Sequence, residues 1–350
     1  MARGALKRLA LARTLGSRPY QQLKLVQTGP LLVGDRRGRI NRLFASTAMH
    51  SVQMARARSS GRRSPSTKAA VPGRPLLVVD GDSFAHRAYH GLPKTILGIG
   101  GKPAGAIVGF ANFLLRMVDQ ERPRAVLVGW DTLDVPNYRH KAFPAYQGGR
   151  HFDKELLVQL DLLPLFVAAC GFANAKAAGY EADDFLAAAV AHEERRGGTA
   201  VVASGDRDTF QLASSSTVIV HPLRAGEMAR IGPKEVRDRY GVEPGQVPDF
   251  IALRGDPSDK LPGAKGIGPK GAAALLRKYG TLEAALTAGR FPSEADKLRL
   301  YRRIATMDAS APLPALRDQT PTWGRAVTLA REWELNRLAD RLDELDRSGS

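Results

Sequence analysis

Three apolar runs, PLLVVD at 75–80, AVLVGWD at 125–131 and TAVVASGD at 199–206, each end on an aspartate. Short, nearly unbroken apolar runs are what strands buried on both faces need, and such strands belong to parallel sheets covered by helices. Helical stretches separate them, at 104–120, at 153–170 with Pro164 bending or ending it, and at 181–196, and a fourth strand is expected at 216–220. This alternation predicts an α/β domain over 76–230 with a central, mostly parallel sheet. Beyond 230 the pattern turns helical, over 233–240, 247–254, 269–279, 281–288 and 295–306, with an amphipathic stretch at 325–345. A smaller helical module is therefore expected over 231–345.

Ligands of open α/β sheets bind beyond the carboxyl ends of the strands. Asp80, Asp131 and Asp206 stand there, with Asp208 two residues on. Glu181, Asp183 and Asp184 open a helix; Glu181 and Asp184 are three apart and share a face, while Asp183 points elsewhere into the same mouth. Asp256 and Asp259 share the turn-rich loop RGDPSDKLPG. Each acid alone has an ordinary explanation, since a strand-end aspartate caps the next helix and acids suit a first turn. Gathered in one cleft they repel unless cations neutralise them. Oxygen-only donors suit hard divalent ions, Mg²⁺ above all. The pattern points to two-metal phosphoryl chemistry, with ions about 3.5–4 Å apart activating water and stabilising a leaving oxygen.

A single cysteine, Cys170, excludes a disulfide framework and cysteine-based metal sites, and its apolar neighbours suit a buried thiol. Of the seven histidines only His86 and His90 stand one helical turn apart, which argues against a histidine zinc site. GIGGKPAG at 98–105 lacks the order of a P-loop. No apolar run reaches the roughly 18 residues of a membrane span. The net charge of +17 sits mostly in residues 1–75, where 13 Arg and 3 Lys face one acid; the remainder is nearly neutral. That basic stretch lacks sustained periodicity and ends as a disordered linker, RARSSGRRSPSTKAAVPGRP. A disordered tail, a start assigned too early, a basic nucleic-acid arm and a presequence all stay open for it.

LPGAKGIGPKGAAALLRKYG, 261–280, is the second strong signal. Its glycines make a tight turn directly before a helix that starts near Pro269. The exposed amides of Gly266 and Gly268 and the helix start form a phosphate seat, with Lys265 and Lys270 beside it. Such a seat holds a duplex backbone without reading bases. The ordinary alternative is a loop joining two packed helices.

VVDGDSFAHRAY, YRHKAFPAY, GYEADD, SGDRDTFQL, RGDPSDKLPG and GIGPKGA, in that order, resemble the structure-specific 5′ nuclease family. The likeness is greatest to the 5′–3′ exonuclease domain at the front of bacterial DNA polymerase I and its stand-alone relatives. It runs from about 76 to 290 and continues more weakly to about 345. The resemblance implies a PIN-like nuclease fold followed by a helix-hairpin-helix type (helix–three-turn–helix) DNA-binding module. It implies that Asp80, Asp131, Glu181, Asp183 and Asp206 surround a first metal ion, and Asp184, Asp208, Asp256 and Asp259 a second. It places Arg87 near the scissile phosphate. Arg139 and Arg150 become basic positions at the entrance of a helical arch, where Tyr146 stacks on a base. The implied cofactors are two Mg²⁺ or Mn²⁺ ions, with K⁺ allowed at the hairpin carbonyls. The implied substrate is DNA with a 5′ end, a flap or an RNA-primer junction, cut in replication and repair by a monomeric, cytoplasmic, nucleoid-associated bacterial enzyme.

Three positions depart from the family pattern. Gln147 stands where a lysine is usual, Lys260 where an asparagine is, and Gly271 where a threonine or serine is. After the nuclease region about 60 residues remain, which suggests a stand-alone nuclease without a polymerase. Two alternatives stay open: a junction-binding protein that kept the grip and lost the chemistry, and a nuclease of structured RNA.

Overall fold

The first strand, β1 (Leu76–Asp80), is buried along its whole length between two parallel neighbours. A computed structural model describes residues 73–133, 135–148, 152–223 and 226–349; the expectations for the basic N-terminal stretch and for Arg150 lie outside the described residues. Helix α1 (Gly81–Gly91) starts at once, capped by the side chain of Asp80, and a small hairpin of β2 (Leu97–Gly98) and β3 (Lys102–Pro103) follows. Then come α2 (Gly105–Glu121), β4 (Ala125–Gly129), the short α3 (Tyr138–Ala142), α4 (Lys154–Ala169) and β5 (Ala173–Ala175). Helix α5 (Ala182–Arg195), β6 (Ala200–Ala203), β7 (Thr217–Pro222) and β8 (Met228–Ile231) complete the sheet region. The sheet order is β5-β4-β1-β6-β7-β8, parallel except for β8, which runs antiparallel to β7.

The chain winds from β1 outward through β4 to β5, then returns to lay β6 on the other flank of β1. The crevice between β1 and β6 is thus the switch point where ligands bind in such sheets. Asp80 ends one of these strands and Asp206 follows the other.

Alternation along the strands divides the core. Leu76, Val78, Leu127, Val202 and Ile219 face α5 and the helices that follow the sheet. Leu77, Val79, Val128 and Val201 face α1, α2 and α4. The following helices are α6 (Pro233–Tyr240), α7 (Val247–Arg254), α8 (Pro269–Tyr279), α9 (Leu282–Thr287) and α10 (Ala295–Ala305).

Helix α4 fills the stretch expected at 153–170 and runs through Pro164 to Ala169. Two expectations, both near the C-terminal end, need correction. The stretch expected as one helix over 325–345 is two, α11 (Trp323–Glu332) and α12 (Asn336–Gly349), separated at Glu334, whose φ is +58°. Their apolar residues, among them Ala330, Trp333, Leu338 and Leu342, join Leu77 and Val79 on the α2 and α4 face instead of packing with α6–α10. Among the described residues no helix is long and apolar enough to cross a membrane.

Candidate active site

Six carboxylates line a cavity of about 250 Å³ at the switch point: Asp80, Asp82, Asp131, Glu181, Asp183 and Asp206. Ser83, His86, Gln147 and Phe152 complete much of its wall. Most of the acids are held by hydrogen bonds at the strand ends and helix starts. Asp80 caps α1 through Ser83 N (3.0 Å) and accepts from Ser204 Oγ (2.7 Å), which in turn accepts from Asp206 N (3.0 Å). Ser204 therefore ties β1 to the end of β6. Asp82 accepts from Asp131 N, and Asp131 from Ala182 N, both at 2.7 Å. Two short hydrogen-bond chains, Asp80–Ser204–Asp206 and Asp82–Asp131–Ala182, thus tie β1 to the end of β6 and α1 through the end of β4 to the start of α5.

Asp82 escaped the sequence reading. Its signal was present, because it stands two residues after a strand-end aspartate and in the first turn of the next helix, where a side chain can swing back to the strand edge. Ser204 and Asn137 were missed as well; Asn137 caps α3 and reaches Glu181 Oε1 through Nδ2.

The three acids at the start of α5 divide differently from the expectation. Glu181 and Asp183 line the cavity, whereas Asp184 is turned away and fully buried. Asp184 takes both guanidinium nitrogens of Arg139 (2.7 and 2.9 Å) and accepts from Glu181 N (3.1 Å) and Asp308 N (2.9 Å). With its oxygens saturated it has no lone pairs to spare for an ion, which corrects its place among the expected ligands.

Arg139 is corrected with it. Only 3% exposed, it binds Asp184, Glu181 Oε2 (2.8 Å) and the Ile304 carbonyl (3.0 Å), and so cannot reach out to a phosphate. Tyr146 is equally unavailable for stacking on a base. It is 4% exposed and its hydroxyl donates to Glu181 Oε2 (3.1 Å). Arg87 also departs from the expectation. It is an exposed residue on the far flank of α1, donates to the Leu223 carbonyl, and lines a separate groove.

A second acid group stands beyond Asp206. The Asp208 amide donates to Asp206 Oδ1 (2.9 Å), and the Asp208 carboxyl faces the charges of Asp206, Asp259 and Asp256. Asp256 and Leu261 close their loop with two backbone hydrogen bonds of 2.8 Å. Gly255 and Gly263 pass so closely there that a Cβ on Gly263 would lie 2.4 Å from Gly255 N. Gln147 bridges the two acid groups, donating through Nε2 to Tyr146 Oη (2.8 Å) and Asp259 Oδ1 (3.2 Å).

Burial is the main electrostatic cost. It pushes the Asp80 carboxyl up to about 7 despite the hydrogen bonds from Ser83 and Ser204, with Asp131 and Asp206 adding repulsion. Burial likewise raises Glu181 to about 7 against the pull of Arg139, and drives Asp82, Asp183 and Asp208 upward. Asp183 Oδ1 is buried with no hydrogen-bond partner at all.

Among the described residues no three His, Cys, Asp or Glu side chains form a ready-made ion cage. The acids are spread around the cavity wall, most of them held by a hydrogen bond. The donor set nevertheless fits hard divalent cations, being all oxygen, desolvated and mutually repelling, with one oxygen left bare.

Gly266 (φ +76°) lies in the turn before α8; Gly268 is the N-cap and Pro269 the first helical residue. Lys260, Lys265 and Lys270 are exposed around this turn, and Lys260 has a φ of +61°.

Relatives share this arrangement of chain. DNA polymerase I of Thermus thermophilus is 36% identical over 248 residues, 70% of this chain and 29% of the relative. That of Deinococcus radiodurans is 38% identical over 215 residues, 61% of this chain and 22% of the relative. The chain thus spans less than a third of the length of these curated relatives. Among solved structures, the T5 D15 protein co-crystallised with metal ions matches with a TM-score of 0.55 at 17% identity, covering 77% of this chain and 99% of that one. The catalytic core of Rad2 in complex with a DNA substrate matches at 0.52 and 13%, covering 77% and 90%. At such identities the likeness is one of fold. The 5′-3′ exonuclease N-terminal resolvase-like domain matches residues 75–241, and the 5′-3′ exonuclease C-terminal SAM fold takes up residues 242–325. With both halves matched in order and without a gap, the chain belongs to the 5′-3′ exonuclease family.

Proposed function

We propose that this chain is a divalent-metal-dependent nuclease that hydrolyses DNA phosphodiesters at free 5′ ends and 5′-flap junctions. The observation that carries the reading is the cavity at the β1–β6 switch point, walled by six carboxylates, with Asp183 Oδ1 buried and unpartnered. Asp80, Asp131, Glu181, Asp183 and Asp206 would hold Mg²⁺ or Mn²⁺, with Asp208, Asp256 and Asp259 flanking on the Asp206 side. When bound, such ions activate water and neutralise charge on the phosphate being cut. Asp82 fixes the amide of Asp131, and Arg139 holds Glu181 in place while neutralising Asp184. The turn at Gly266–Gly268 and the start of α8 seat a duplex backbone, helped by Lys265 and Lys270. Selectivity then comes from junction shape and not from base sequence.

Cleavage of an end-labelled 5′-flap duplex by the full chain tests the reading. The expected result is product near the junction that requires Mg²⁺ or Mn²⁺, disappears in EDTA and is absent with Asp206→Asn. Gln147 supplies the reason for a second reading, because a neutral amide bridges the two acid groups where a cation is usual. Tight junction binding without product under either ion would favour a binding protein over a nuclease.

A further inference from the structure

On the other flank of α1 from the acid cavity lies a larger groove of about 550 Å³. Helix α1 is the wall between them: Asp82, Ser83 and His86 line the cavity, while Phe84, Arg87, Ala88 and Gly91 line the groove. Three guanidinium groups surround the groove, from Arg87 on α1, Arg116 on α2 and Arg341 on α12. Each donates to a neutral acceptor: the Leu223 carbonyl for Arg87, the Gly226 carbonyl (3.3 Å) for Arg116, and Asn112 Oδ1 (2.6 Å) for Arg341. Among the described residues none of the three makes an ion pair with a carboxylate. Arg116 Nε is buried without a partner. Glu227 is the single acid of the lining, so the groove is net positive. Its floor is apolar, built on the stacked rings of Phe84 and Phe113 (centroids 3.6 Å apart), with Leu92 and Met228 at its sides.

A guanidinium has five N–H donors in a planar fork suited to phosphate, and three such forks over an apolar floor select an anion that also carries a flat, poorly hydrated body. The volume exceeds what a bare phosphate needs and falls within the range of small-molecule pockets. We propose that this groove is a second nucleotide subsite, which takes one nucleotide unit with its phosphate on Arg87, Arg116 and Arg341. The inference rests on the nuclease reading for its choice of a nucleic-acid strand as the source. A free nucleoside monophosphate has the same chemistry, and the test separates the two.

The test measures binding of a fluorescent 5′-flap duplex to the full chain in EDTA across a series of KCl concentrations, so cleavage plays no part. The double variant Arg116→Ala/Arg341→Ala is expected to bind about tenfold more weakly, with a salt slope shallower by about one to two counterions. Arg116→Lys/Arg341→Lys, which keeps both charges, is expected to recover most of the slope. This separates lost charge from a damaged fold. In a second arm, calorimetric titration with adenosine 5′-monophosphate shows whether the groove also takes a free nucleotide: heat with the wild type and none with the double alanine variant identifies that source. Equal behaviour of the wild type and the alanine variant in both arms overturns the subsite alone. A wild-type chain that binds no flap duplex overturns the nuclease reading and the strand-borne subsite together.

Discussion

Asp183 shows most plainly the conflict between stability and function in this chain. Its carboxyl is buried against Asp206, Asp80, Asp131 and Glu181, and one of its oxygens has no partner. Asp183→Asn removes a buried charge from a repelling cluster, so in EDTA the variant is expected to melt about 2–6 °C higher than the wild type. The same change should lower metal-dependent cleavage by two orders of magnitude or more. Asp80 and Glu181 give the pH dependence. Both carboxyls hold their protons up to about 7 in the folded chain, and release them near the ordinary values, 3.8 and 4.5, when it unfolds. The folded state therefore binds more protons over that window, and stability without divalent ion is expected to fall as pH rises from about 5 to 8. Mn²⁺ should cancel most of the loss, which melting curves with and without the ion will show.

At the scale of elements, the acid cavity depends on α3 and on the chain that follows α10. Arg139 on α3 joins Asp184 of α5 to the Ile304 carbonyl, while Asp308 N completes Asp184 from the same side. Arg139→Met leaves Asp184 buried without its cation, a loss of about 3–5 kcal/mol, and melting should expose it even where cleavage is not measured. The turn before α8 answers to a different test. Lys265→Ala with Lys270→Ala should weaken duplex binding and lower the salt slope by about one to two, with little change in melting temperature because both side chains are exposed. The sequence revealed β1, β4, β6 and β7 and most helices, since burial on both faces writes itself into runs such as LLVVD, whereas the short edge strands β5 and β8, the β2–β3 hairpin and helices α1 and α3 carried no such run and went unread. It also marked Asp80, Asp131 and Asp206 as neighbours, because parallel strands bring their carboxyl ends to one edge. It could not reveal that Asp184 and Arg139 satisfy each other. That pairing depends on which way α5 turns its first residues and on a short helix with hardly any periodicity. The stretch at 325–345 carried an amphipathic signal but no statement of its partner, and its apolar face covers the opposite side of the sheet from α6–α10.

For the molecule as a whole, α11 and α12 are structural and not an appendage. Trp333, Leu335, Leu338 and Leu342 are buried with the core of the sheet. At about 1.5–3 kcal/mol each, these four side chains contribute about 6–12 kcal/mol, comparable to the entire stability of an ordinary domain. A chain ending at Pro321 is therefore expected to show no cooperative melting transition. These helices also bring Arg341 to the groove beside α1, so the same segment that closes the core supplies part of the proposed nucleotide subsite.

The most direct measurement is Mn²⁺ binding to the full chain, read by electron paramagnetic resonance in the wild type and in Asp183→Asn. The account predicts that the wild type takes up Mn²⁺, that Mg²⁺ displaces it, and that the variant binds it more weakly by about tenfold or more. Equal Mn²⁺ affinity in the two proteins, or none in the wild type, would contradict the assignment of the carboxylate cavity as a divalent-ion centre.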